Sequence, residues 1–79
     1  MNPEAKEWLV EYWEPLFAGR GWTVASQPGP RFEHFYPVKP MSFEKAASLA
    51  KRRHTASVAN LQYRVRNVRT GDILPAAIL

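Results

Sequence analysis

A chain of 79 residues with no cysteine has to be held together by side-chain packing alone. A domain of this size buries only about 60–65 % of the surface its unfolded form exposes, so its core is thin. Neither a disulfide nor a thiolate-bound metal can staple it. His34 and His54 are far apart, with no second histidine or carboxylate at ligand spacing, so no metal site is expected. What remains is aromatic burial. Trp8, Tyr12, Trp13, Phe17, Trp22, Phe32, Phe35, Tyr36, Phe43 and Tyr63 are enough to build a compact core, because each covers a large area. A partner subunit is the other source of stability, and a homo-oligomer is kept open.

The pattern along the chain predicts one α+β domain over residues 1–79, in the order α-β-β-α-β-β. It has two helices and a mostly antiparallel sheet of three to four strands. Asn2 and Pro3 resemble a helix start. Ala5, Trp8, Leu9, Tyr12, Trp13, Leu16 and Phe17 then fall on one helical stripe, which predicts an amphipathic aromatic helix over residues 3–18, kinked at Pro15 and ended by Gly19 and Gly21. A β-β-α-β-β body follows over residues 22–79. Trp22–Ser26 and Arg31–Val38 read as strands joined through the turn Gln27-Pro28-Gly29-Pro30, with Pro37 at an edge or a strand end. Ser42 reads as the N-cap of a helix through about His54, with Phe43, Ala46, Ala47 and Ala50 inward and Lys45, Lys51 and Arg52 outward. Leu61–Val68 is a strand with Leu61, Tyr63 and Val65 on one face and Gln62, Arg64 and Arg66 on the other. Arg69-Thr70-Gly71-Asp72 is a turn, and Ile73–Leu79 returns as a partial strand limited by Pro75.

Charge is distributed as unevenly as hydrophobicity. The net +4 conceals a local −3 over residues 1–18 and +7 over residues 45–69. The latter stretch holds seven basic residues and no acidic one. Two electrical faces of this kind are binding faces. Arg52, Arg53, Arg64, Arg66 and Arg69 are the candidate polar contact surface, and Trp8, Tyr12 and Trp13 the candidate apolar one. Tryptophan, tyrosine and arginine are the side chains that dominate interface energetics. The pI near 9.9 admits a nucleic acid as the partner of the Lys45–Arg69 face. Arginines paired within the molecule to Glu7, Glu11 and Glu14 are the other reading of the same charges. The four glycines make no phosphate loop, the glutamates line a solvated face, and His34 has no nucleophile in reach. A non-enzymatic binding protein without cofactor is therefore expected. Residues 1–7 lack the basic start and apolar run of a signal peptide, and no apolar stretch is long enough to span a bilayer. A cytoplasmic protein without membrane contact follows as the expectation.

The segment from Phe32 onward carries a further pattern. A strand leads into Ser42-Phe-Glu-Lys-Ala-Ala-Ser-Leu-Ala50, then Tyr63-Arg-Val-Arg-Asn-Val68, then the Thr70-Gly71-Asp72 turn. Over residues 32–74 this resembles the small β-α-β-β accessory proteins of phages and mobile elements, some of which are anti-CRISPR or other host-directed inhibitors. The resemblance implies a regulator or inhibitor that acts by occupying a surface on a larger host complex; the basic charge adds the expectation that this partner presents an acidic surface or handles nucleic acid.

Overall fold

A computed structural model describes residues 5–29, 34–56 and 61–79. The helix expected over residues 3–18 is not formed. The segment is instead strand β1 (Trp8–Trp13) followed by a 3-10 helix, Pro15–Arg20. The side chains explain the outcome. Trp-Leu-Val-Glu-Tyr-Trp is mostly aromatic and β-branched, which favours a pleated surface. Its apolar positions satisfy a period of two as well as one of 3.6. Trp8, Val10 and Tyr12 face one way; Leu9, Glu11 and Trp13 face the other. Pro15 then opens the 3-10 helix, where its missing N–H costs nothing. Gly21 turns the chain with φ 68°. Asn2, Pro3 and Glu4, and Pro30 to Glu33, lie outside the described residues, and with them the expected helix start, the end of the expected turn and the first part of the strand expected over Arg31–Val38.

Four antiparallel strands make the main sheet, in the order β2-β1-β5-β6. β2 is Thr23–Val24, β5 is Gln62–Asn67 and β6 is Ile73–Pro75. β3 (Ser26–Pro28) and β4 (Phe35–Pro37) form a separate two-stranded hairpin with Gln27 opposite Tyr36. The expected hairpin is therefore displaced along the chain: Thr23 and Val24 pair with β1 instead. Ala25 joins the two sheets, donating to the Val10 carbonyl and accepting from the Val38 N–H, both at 2.8 Å. The β5 and β6 expectations stand with shorter bounds. After β6 the chain ends in a 3-10 turn, Ala76–Ile78, rather than more strand.

α1 (Phe43–Ala56) is the single α-helix among the described residues. Ser42 Oγ accepts from the Lys45 N–H at 3.4 Å, as an N-cap does. The helix packs on one face of the β1–β5 pair. Val10, Val65, Ala46 and Ala50 are fully buried there. Trp8 meets Phe43 edge-on, with ring centroids 4.9 Å apart. The core is thin as expected: its largest fully enclosed side chains are two valines. No helix of the described residues is long and apolar enough to cross a membrane.

The turn between β5 and β6 is set by Asn67, which is 6 % exposed. Its Oδ1 accepts from the N–H groups of Arg69 (2.8 Å) and Thr70 (3.0 Å). Gly71 closes the turn at φ 82°, with its N–H on the Asn67 carbonyl. A Cβ at Gly71 would meet nothing within 4 Å, so the cost of adding one is backbone strain alone. Gly71→Ala is expected to destabilise by about 1 kcal/mol in urea unfolding. An unchanged or raised midpoint would contradict this reading of the turn.

Candidate functional site

The register of β1 and β5 decides what the basic residues can do. Glu11 stands opposite Arg64, and Leu9 opposite Arg66. All four lie on the sheet face away from α1. Glu11 Oε1 accepts from Arg64 Nε at 2.9 Å, and Oε2 accepts from Arg66 Nε at 3.0 Å. The carboxylate is enclosed, with a side-chain exposure of 6 %, against 17 % for Arg64 and 33 % for Arg66. The Arg64 guanidinium also lies over the Trp22 ring, 4.1 Å from its centroid. Charge on a glutamate in the acidic segment thus meets two arginines of the basic segment inside one sheet face.

The other arginines are placed differently. Arg69 is 71 % exposed, with its Nε 3.4 Å from Glu7 Oε1. Arg53 is half-buried and donates from Nη1 to the Ser26 carbonyl at 2.6 Å, tying α1 to the hairpin. Arg52 is exposed on α1. The five candidate arginines therefore do not form one surface. Arg64 and Arg66 sit together on the sheet, Arg69 at the β5–β6 turn, and Arg52 and Arg53 on the helix.

The aromatic candidates divide as well. Trp8 and Tyr12 face α1 and pack against the core, Tyr12 tilted on Tyr63 at 6.1 Å. Trp13 is half-buried on the opposite face, level with Gln62. On that same face Ile73, paired with Arg66, is 45 % exposed. Trp13, Trp22, Arg64, Arg66 and Ile73 are thus gathered on the side of the sheet that α1 leaves open.

A second feature was not legible as a unit. Lys6, Lys39, Lys45 and Arg52 line one groove of about 940 Å³, together with Glu44 and Ser48. It forms because Trp8 and Met41 exchange backbone hydrogen bonds (2.9 and 2.8 Å), which lay the start of β1 beside the lead-in to α1. Ser48 and Arg52 also line an adjoining hollow of about 410 Å³ with Lys51. His34 is exposed on its strand approach, and His54 is half-buried with its Nδ1 enclosed and without a hydrogen-bond partner among the described residues. Comparison with protein-family models, with curated proteins and with solved structures finds no match.

Proposed function

We propose that the protein is a non-enzymatic, cytoplasmic protein-binding module that docks through the open face of its four-stranded sheet. It is a regulator or inhibitor of the phage or mobile-element kind, occupying a surface on a larger host complex. The observation that carries this reading is the arginine pair held by Glu11. Each guanidinium spends its Nε on the buried carboxylate. The Nη groups make no hydrogen bond among the described residues and remain as donors for a carboxylate of another molecule. Both side chains are already fixed, so little conformational entropy is lost when they bind. Trp13, Trp22 and Ile73 surround them with the apolar area that an interface centre needs.

Ile73→Glu tests it. The new carboxylate would stand beside Arg66, occupy its free donors and put a charge where apolar contact is expected. Ile73 is half exposed, so folding is little affected. The expected result is a defined protein partner retained by the parent chain, reconstituted from purified components, and bound at least about tenfold more weakly by the variant. Equal binding by parent and variant would remove the sheet face from the account.

A further inference from the structure

The arginines held by Glu11 are only part of the positive charge. Lys6, Lys39, Lys45, Lys51 and Arg52 are all exposed, and none has an ion-pair partner among the described residues. Four of the five line the groove beside the start of α1, where Glu44 is the one acidic lining residue among those described. The fifth, Lys51, lies in the adjoining hollow that shares Ser48 and Arg52 with the groove. The cations therefore make a continuous basic strip on the α1 side of the molecule. On α1 the cations run from Lys45 to Arg52, about 10 Å of helix, and Lys6 and Lys39 line the groove beside its start.

We propose that this strip is a second binding site, for the phosphate backbone of a double-stranded nucleic acid, read without regard to sequence. Three features choose that ligand. Among the described residues no aromatic side chain lines either part of the strip, so they offer no platform for stacking unpaired bases. Four of the five cations are lysines, mobile point charges that neutralise phosphates without demanding one fixed geometry, which suits contact without regard to sequence. A duplex presents one charge per roughly 1.7 Å of its axis, dense enough to engage all five cations along the strip. The site is separate from the sheet face and does not depend on the protein-binding reading.

The experiment is a fluorescence-anisotropy titration of nuclease-treated protein with a labelled DNA duplex of arbitrary sequence, between about 50 and 200 mM salt. Three to five phosphate contacts predict a slope of log K on log salt between about −2.7 and −4.5. The double variant Lys39→Ala/Lys45→Ala changes two exposed side chains and is expected to keep the parent melting temperature. Its slope should be shallower by about two. Ile73→Glu should bind the duplex as the parent does, so failure here and failure of the sheet-face reading are told apart. Absence of binding at the lowest salt would overturn the proposal. So would a parental slope in the double variant, or preference for a poly-glutamate peptide over the duplex at equal charge.

Discussion

Replacing Glu11 by alanine is expected to cost about 3 kcal/mol of folding stability and to lower the melting temperature by about 12–24 °C. Removing one member of a buried ion group leaves its partners with charge that water no longer fully solvates. Here two guanidinium groups lose their shared acceptor, side by side on one strand face. Their exposures of 17 % and 33 % let some solvent in, which holds the cost at the lower end of what a fully buried group would show. The total stability of a chain this long is about 4–12 kcal/mol, so the loss is a large fraction of it. Arg69→Ala makes the contrast. Its pair with Glu7 is long and mostly solvated, and the expected change is within about 0.5 kcal/mol. A Glu11→Ala chain that loses less than about 1 kcal/mol would show that the clamp is not structural.

Ala50→Leu is expected to cost about 2–3 kcal/mol for the opposite reason. Ala46 and Ala50 are both at 0 % exposure, and they set how closely α1 lies on β1 and β5. A leucine at either position has to push the helix off the sheet or be forced into a strained rotamer. The fully enclosed side chains around it give little room, the largest being Val10 and Val65. Ala56→Leu, at the exposed end of the same helix, should change stability by no more than about 0.5 kcal/mol in urea unfolding. Equal effects at Ala50 and Ala56 would contradict close helix–sheet packing.

Local signals read well where a segment satisfied one period and failed the other. Ser42 and the alanines Ala46 and Ala50 specify a helix with a narrow inner face, and Tyr63, Arg64, Val65 and Arg66 specify a strand. Trp8 to Trp13 satisfied both periods. What decided it was the partner strand, since β1 is flanked by β2 and β5 and its two faces meet α1 on one side and the arginines on the other. That information lies more than fifty residues away in the chain, as the Glu11–Arg64 and Glu11–Arg66 separations show. Arginines paired to Glu7, Glu11 and Glu14 are one reading of the charges, and the structure pairs Glu11 and Glu7, but the helical reading hides the geometry. On a helix, Glu7, Glu11 and Glu14 share a solvated face; on a strand, Glu11 turns toward β5. The groove was hidden by distance too. Lys6 and Lys39 carry no local signal, and only the Trp8–Met41 hydrogen bonds bring them beside Lys45 and Arg52.

Charge is divided in two: the β5 arginines are held by Glu11, whereas Lys45, Lys51 and Arg52 on α1 have no ion-pair partner among the described residues. A double-mutant cycle in urea unfolding tests it most directly, with Glu11→Gln combined first with Arg66→Gln and then with Lys45→Gln. The predicted coupling is about 1–3 kcal/mol for Glu11 with Arg66, and within about 0.5 kcal/mol of zero for Glu11 with Lys45. Coupling near zero for both pairs, or a loss on Lys45→Gln as large as on Arg66→Gln, would contradict the division.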